Sequence, residues 1–563
     1  MKRFKTIIII ISGLLFTFSS CEEQILDKSP RDSFSDVDIW GNLENTKMFV
    51  WNLYANIGGM GAHGGTTRRL TDGASDINFG LHHARFAAFG QGELTPDNTA
   101  GFGDVWNWQY DNIRKANMFL ERIDEVPGSA EEKNRLKGEV KYMRARAYWW
   151  LTSLFGGVPL LTETFSLDDD YMAVSRASYQ DCVDFIVKDL DDAAALLPLE
   201  IPAAQFGRAT RGAALALKSR VLLYAASKLY DPSTEPSGPL FDYNKPGKWQ
   251  DASDAAKAVI DLNLYSLEEV NDAAEYQEML TRVNSELIFA RATSTIHSGT
   301  WANFDKVNSP NGYHDGWSDQ NPTNHFSDMF QMKDGLSIHE SPLYDDSAEG
   351  MYQNREIRFY ANLIFNGAMY RGRPAQFYIP GGLDSPQGPG SHNASWTGYC
   401  QRKFMDESYD FTTSFPTTPV VFARLSEIYL NYAEAQYHLG HEDVAREYVN
   451  KIRNRVHLPD IEYTGERLLE AIMHERTIEL CWENHRFFDM RRWMIAEEVM
   501  NIDAQGKQWR YENEQGELDI NGTLTYRVVT AMERNFHAPR MYHIPIPRSE
   551  IERSSLQQNP GYN

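Results

Sequence analysis

Cysteine is scarce: the chain has four in 563 residues, at positions 21, 182, 400 and 481, and none stands in a CxxC pair. That spacing excludes a disulfide framework and a thiolate metal clip. Basic charge is also in deficit, with 55 Lys and Arg against 78 Asp and Glu for a net charge of −23. No basic run offsets it, so electrostatic capture of nucleic acid is excluded. Beyond the first twenty residues there is no long apolar run, which excludes a polytopic membrane protein. Hydrophobic residues at 42% and charged residues at 24% exclude an intrinsically disordered chain and supply a large core.

Catalytic motifs are lacking too. There is no GxSxG, no P-loop and no GxGxxG. His438 and His441 lack the Glu placement of HExxH, and His474 has no second His four residues on, so all three read as helix-surface or capping residues. Asp36, Asp38 and Gly41 echo a calcium loop, but Trp40 occupies a ligand position and Lys47 stands where the bidentate Glu belongs. No metal and no cofactor is expected. Acidic pairs at glycosidase-like spacing are unavoidable among 78 carboxylates and carry no information.

What is present begins at the N-terminus. Lys2, Arg3 and Lys5 precede IIIIISGLLFTF at residues 7–18, and Ser19 and Ser20 lead into Cys21. Twelve residues rise only about 18 Å, short of a hydrocarbon core of about 30 Å, so the segment reads as a signal peptide over 1–20. The small residues before Cys21 mark a lipoprotein signal. Cys21 is then the lipidated first residue of a tether over 21–35, holding the protein on a membrane without spanning it.

Helical periodicity follows. In residues 104–123, Trp106, Tyr110, Ile113, Ala116, Leu120 and Ile123 share one stripe, and after Pro127 and Gly128 a second helix over 138–156 places Val140, Met143, Ala147, Leu151 and Leu154 on one face. Similar stretches recur at about 179–197, 210–229, 251–262, 422–439, 442–455 and 466–482. The fold class expected is mostly α: a tetratricopeptide-like array of helix pairs with a core over about 104–290 and 422–494. Residues 292–420, rich in Gly, Pro, Asn, Ser and aromatics, read as a large irregular lobe, and 500–563 as an irregular C-terminal block; together 36–563 form one domain. The charge-dense run Glu475, Arg476, Glu479, Glu483, Arg486, Asp489, Arg491 and Arg492 reads as an ion-pair network stapling helix ends, with Glu479 spaced to meet Glu483 and Arg486. Glu139 with Arg144 and Arg146 is read the same way.

Several strings together resemble the SusD/RagB family of lipid-anchored proteins that partner TonB-dependent transporters in the outer membrane of Bacteroidota. They include GEVKYMRARAYWWLTSLFGGVPLL (138–161), RLSEIYLNYAEAQYHLG (424–440), ERTIELCWENHRFFDMRRW (475–493) and the closing YHIPIPRSEIERSSLQQNPGYN (542–563). DVWNWQYDNIRKANMFLERI (104–123) is similar to the family's first helix. Cys481 and Trp482 stand where this family often has smaller residues. Glu22 and Glu23 after Cys21 resemble the acidic export signal of surface lipoproteins. The resemblance implies four tetratricopeptide-like units, a loop-rich lobe carrying ligand contacts, a SusC-like transporter partner, and binding without cleavage.

Sugar recognition uses flat aromatic faces against C–H groups and planar polar side chains against hydroxyls. On that ground the loop residues Trp301, Asn303, Tyr313, His314, Asp315 and Trp317 are the expected glycan contacts. A second candidate surface lies within 66–102, where Arg68, Phe79, His82 and Arg85 sit among glycines and the arginines either serve acidic sugars or pair with Asp72 and Asp76. The leading function is capture of a glycan at the cell surface for the transporter; peptide capture, glycoside hydrolysis and a pure scaffold are the alternatives.

Overall fold

The computed structural model describes residues 36–55, 71–82, 84–166, 168–291, 303–414 and 417–562. Cys21, Arg68 and Trp301 lie outside the described residues. Two short helices, α1 (Asp36–Trp40) and α2 (Leu43–Ala55), come first, and a three-residue strand β1 (Asn78–Gly80) follows. The array then runs through α3 (Gly103–Arg122), α4 (Ala130–Phe155), α5 (Tyr179–Leu196), α6 (Arg211–Ala226) and α7 (Lys248–Ile260). Each packs on the next.

Local sequence explains the boundaries. Ser129, Ser178 and Thr210 cap α4, α5 and α6 by accepting from the amides of Glu132, Asp181 and Ala213. The Ser129 cap starts α4 eight residues before the apolar periodicity begins, over the polar turns AEEKNRLK. Gly156 ends that helix at φ +79, where a Cβ would meet the Leu240 carbonyl at 2.6 Å. Ala213, Ala214, Ala216 and Ala225 of α6 are buried, so its neighbours approach closely.

The lobe is inserted between the two strands of one antiparallel ladder. Strand β2 (Leu287–Arg291) leads into it, β3 (Gln320–Pro322) lies inside it, and β4 (Val420–Arg424) leaves it paired with β2. The array resumes directly with α8 (Leu425–His438), α9 (Glu442–Arg455), α10 (Glu466–Glu479) and α11 (Arg486–Arg492). Helix α8 packs on α7 and on both α9 and α10, which makes the array continuous across the insertion. Residues 500–541, expected to be irregular, contain an antiparallel hairpin, β5 (Ala504–Glu512) with β6 (Thr523–Met532). The β-branched run TLTYRVVT is the signal for it. A last helix, α12 (Arg548–Arg553), follows.

Two main cores result. One underlies the helices; the other fills the lobe with Phe326, Phe330, Tyr352, Phe359, Tyr399 and Trp509. Trp482, the bulky residue at the end of α10, is 2% exposed at φ +57 and meets Phe326 edge-on at 5.4 Å, so its size fills the lobe core.

Buried ions join the two parts at the neck of the insertion. The Glu479 carboxylate accepts from Arg424 Nη1 at 2.7 Å, from Arg358 Nη1 at 3.0 Å and from Arg455. Glu286 also accepts from Arg424 and Arg455, and Glu483 from Arg424 Nε and Lys403 Nζ, both at 2.8 Å. Arg358 further reaches Glu356 and Glu475, and Arg453 lies 3.5 Å from Glu475. Five carboxylates thus face five cations, all buried. The expected staple of helix ends is present at Asp489, which pairs with Arg476 at 2.8 Å and with Arg492 at 2.7 Å, but the expected meeting of Glu479 with Arg486 is corrected: Glu479 bridges to the lobe and to β4, while Arg486 pairs with Asp76 at 2.6 Å and Arg492 also with Glu434. Glu139 likewise pairs with Arg208 at 2.6 Å, whereas Arg144 holds Asp189 and Arg146 lies over the Phe422 ring. Helical spacing gives neighbours along one helix, such as Arg135 for Glu139 at 3.3 Å, whereas Arg208, Asp189, Asp76 and Glu434 come from other segments.

Removing one member of a buried ion set leaves the rest uncompensated, so Glu479→Ala is expected to lower unfolding free energy by about 3–5 kcal/mol in urea titration. Acid acts on the same set. Burial alone would raise the Glu479 carboxyl, but Arg455, Arg424 and Arg358 hold it well below its ordinary value, and Glu434 lies at about 2 through Arg492. These depressed carboxyls stabilise the fold above about pH 4.5, and that contribution is lost as pH falls toward 2.

Asp72 has the opposite sign. It is fully buried and forms no ion pair among the described residues, and burial pushes it up to about 7, partly opposed by the Trp482 amide. Its contribution is present below about pH 3.8 and lost as pH rises through about 7. Asp72→Asn is therefore expected to raise Tm at pH 8 by an amount corresponding to at most about 4 kcal/mol, with the gain shrinking toward pH 4.

Candidate functional site

The two candidate surfaces meet. Strand β1, from the second surface, pairs with β3, which follows the first, in the register Asn78↔Pro322, Phe79↔Asn321 and Gly80↔Gln320. The contact continues past the ladder: Leu81 N donates to Asp319 O at 2.8 Å, and His82 N to Asp319 Oδ1 at 3.2 Å. The His82 ring meets Trp317 edge-on at 5.6 Å, with Nε2 3.0 Å from the Trp317 carbonyl. Phe79 is buried, His82 is exposed and Trp317 is half-buried.

Asn321 sits opposite Phe79 and organises a third segment. Its Oδ1 accepts from Ser395 Oγ at 2.7 Å and from Trp396 N at 2.8 Å, while its Nδ2 donates to Ser318 O. Trp396 thereby lies on Phe79 in a stacked pair, centroids 5.5 Å apart and planes 28° apart, and it remains 54% exposed. The β5 strand fixes this segment from behind, with Lys507 N donating to Thr397 O at 2.8 Å. Gly506 is required there, since a Cβ would lie 2.1 Å from Thr397 Cα. The result is an indole stacked on Phe79, carried by a segment whose backbone is held by Asn321, and more than half exposed.

A turn beside it carries the polar candidates. His314 and Asp315 are exposed at φ +51 and +58, and Ser318 follows at φ +43. Consecutive non-glycine residues in the left-handed region are uncommon and need outside support. Here Gly316 N donates to Tyr313 O, Trp317 N to Lys306 O and Ser318 N to Ser309 O. The His314 ring packs edge-on against Phe411 at 5.8 Å.

The other candidates have internal roles. Asn303 is 3% exposed; its Oδ1 accepts from Lys306 N and Tyr409 OH, and its Nδ2 donates to Phe411 O at 2.8 Å and Ser414 O at 3.1 Å. Tyr313 is also buried, its hydroxyl donating to Arg373 O at 3.0 Å and its ring lying 3.7 Å from the Arg373 guanidinium. Burial raises the Tyr313 phenol, so it stays protonated. Asp76 pairs with Arg486 of α11. Arg85 lies in the short helix after His82, and its side chain is outside the described residues.

Trp396 was one loop aromatic among many in the sequence, and no periodicity ties 396 to 79. The surviving signal was a Trp in the small, polar run SHNASWTG. Cys182, Cys400 and Cys481 are buried thiols that burial pushes up to about 12, which leaves them unreactive. Among the described residues, no group of three His, Cys, Asp or Glu is placed to hold a metal, and no helix is long and apolar enough to cross a membrane.

Comparison with known proteins bears on the whole chain. A model described as the SusD family matches residues 285–562, and one described as starch-binding, associating with outer membrane, matches residues 25–223. A SusD-like protein P25 of Formosa agariphila is 23% identical over 98% of this chain and 97% of its own length, and a SusD-like protein of Bacteroides ovatus is 22% identical over 99% and 98%. Among solved structures, a SusD-like protein of Bacteroides fragilis superposes with a TM-score of 0.78 at 29% identity, covering 95% of this chain and all of its own. A SusD-like carbohydrate binding protein of the same species reaches 0.75 at 24% identity, covering 92% and 99%. A laminarin binding SusD-like protein reaches 0.61 at 22%, covering 93% and 100%. Family matches at both ends and full-length relatives of the same architecture lead to one conclusion: the chain belongs to the SusD family.

Proposed function

We propose that the chain captures an oligo- or polysaccharide at the cell surface and hands it to a TonB-dependent outer-membrane transporter. The carrying observation is Trp396: an indole stacked on Phe79, held by Asn321 and 54% exposed. Exposing half of a Trp in a segment fixed by hydrogen bonds brings no folding benefit, whereas an open aromatic face suits the C–H side of a pyranose ring. Trp317 and His82 extend the platform, and His314 and Asp315 supply polar groups for hydroxyls. Trp301 and Arg68 stay in the proposed site from sequence alone. The names of the carbohydrate-binding and laminarin-binding relatives support the reading.

Peptide capture is less well served, because β1 and β3 already pair with each other over only three residues and flat rings offer few side-chain pockets. Turnover is not proposed: the platform presents stacking faces and no activated nucleophile.

The anchor belongs to the same proposal. With Cys21 acylated, residues 22–35 reach at most about 50 Å before α1 begins. At its start, Asp36 is paired with Arg122. Tethering transporter and binder to one membrane raises their effective concentration, so a modest interface on the helical array suffices.

Trp396→Ala is expected to weaken binding of a polysaccharide ligand, with laminarin the first tested, from several-fold to about tenfold in affinity electrophoresis, with Tm unchanged. Tyr313→Ala is the contrast, because loss of a buried ring lowers Tm by many degrees. Normal binding by Trp396→Ala to every glycan the wild type binds rejects the platform. Cys21→Ala is expected to leave the membrane fraction and to lose co-purification with a transporter; retention of both refutes the anchor.

A further inference from the structure

A concave site elsewhere on the molecule shares no residue with the platform. A cavity of about 830 Å³ lies between α3, the segments 159–166 and 171–174, and the C-terminal α12 with the residues after it. Its size falls in the range of small-ligand pockets, about 300–1,000 Å³. The floor is apolar because its polar atoms are already engaged: Tyr110 OH donates to Pro159 O at 3.0 Å, and Asn117 Nδ2 donates to the carbonyls of Leu161 and Glu163. One wall is aromatic. Phe165 and Tyr171 stack with centroids 5.4 Å apart and planes 27° apart, and Tyr171 is 48% exposed.

This wall is fixed in place. Tyr171 OH donates to Ser166 O at 2.8 Å, Asp170 caps the turn Tyr171–Ala173, and the C-terminal tail braces it through Ser555 Oγ to Met172 O and Arg176 Nη1 to Gln557 O. Above the floor, the side chains of Asn107, Arg114 and Glu163 line the rim, exposed and without a hydrogen bond or ion pair to any described residue. An amide, a guanidinium and a carboxylate together supply donors and acceptors beside a flat ring pair.

We infer that this cavity is a second carbohydrate site, taking a short neutral oligosaccharide whose ring stacks on Tyr171 while Asn107, Arg114 and Glu163 bond its hydroxyls. A lipid or aryl ligand has no use for three unengaged polar groups of different kinds. An extended peptide needs a strand edge, and among the described residues no strand lines the cavity. A strongly anionic sugar meets Glu163 and Glu550 beside the arginines. The inference extends the glycan-capture reading, and the test separates the two.

The mature chain and its variants are titrated calorimetrically, and by saturation-transfer NMR, with short laminari-, cello-, malto- and manno-oligosaccharides. The expected result is residual saturable binding in Trp396→Ala that Tyr171→Ala, added to it, weakens by about tenfold, while Tyr171→Phe, which keeps the ring, does not. Glu163→Ala is expected to weaken the same residual binding several-fold. Thermal melts of the variants are expected to match, since Tyr171 is half-exposed. If Tyr171→Ala changes affinity in neither background, or if Trp396→Ala binds none of these sugars, the second site is refuted and the platform stands. If Trp396→Ala is harmless and Tyr171→Ala alone abolishes binding, the cavity is the glycan site and the platform reading fails.

Discussion

Everything on the lobe depends on how the neck is closed. A segment of more than a hundred residues leaves the helical array after Glu286 and returns at Arg424, and those two residues are joined through a shared ion set, with Leu425 N donating to Glu286 O at 2.9 Å. Glu479, at the end of α10, ties the neck to Arg358 of the lobe and Arg455 of α9. A hydrophobic neck of equal volume would be no less stable, since desolvating charges offsets much of their attraction. What the ions add is direction: each guanidinium has a fixed set of acceptors, so the lobe sits on the array in one orientation. The platform is assembled across that junction, because β1 comes from before the array and β3 from inside the insertion.

The site is correspondingly composite. Phe79, Trp317 and Trp396 come from segments hundreds of residues apart in places, and Asn321 is the residue through which they communicate. Its backbone pairs with Phe79, its carbonyl oxygen takes the Trp396 amide, and its amide nitrogen closes the turn at Ser318. A planar residue with both donor and acceptor fits all three roles; Asp has no donor and Leu has neither. Behind it, Gly506 lets β5 approach Thr397 closely enough to hold the Trp396 segment, so the hairpin serves the site from behind.

Much of the fold was legible because helices are local. The stripe from Trp106 to Ile123, the Ala-rich α6 and the run from α8 to α10 follow from apolar spacing, and the observed boundaries lie close to the expected ones. Two things were not. The hairpin at 504–532 alternates weakly, since Lys507 is buried beside Tyr399 while Val528 faces solvent. The site suffered from the same nonlocality: composition marked both loops as candidates, but only strand pairing shows that they form one surface. Asn303 and Tyr313 have the residue types of a sugar site and yet serve as a helix cap and a core ring. Residue type gives chemistry, and only the surrounding contacts decide whether that chemistry faces ligand or protein.

The charge balance of the molecule bears on how such a site works. A net charge of −23 creates a field that does not draw in acidic polymers, and a neutral glycan gains nothing from steering. Capture then rests on short-range stacking and hydrogen bonding, which are individually weak, and on several such contacts along one chain. A rigid platform reduces the entropy lost when each ring docks, because Trp396 is already fixed by Phe79 and Asn321 before ligand arrives. Weak, preorganised contacts also release readily, and the proposed hand-over to a transporter requires release as much as capture.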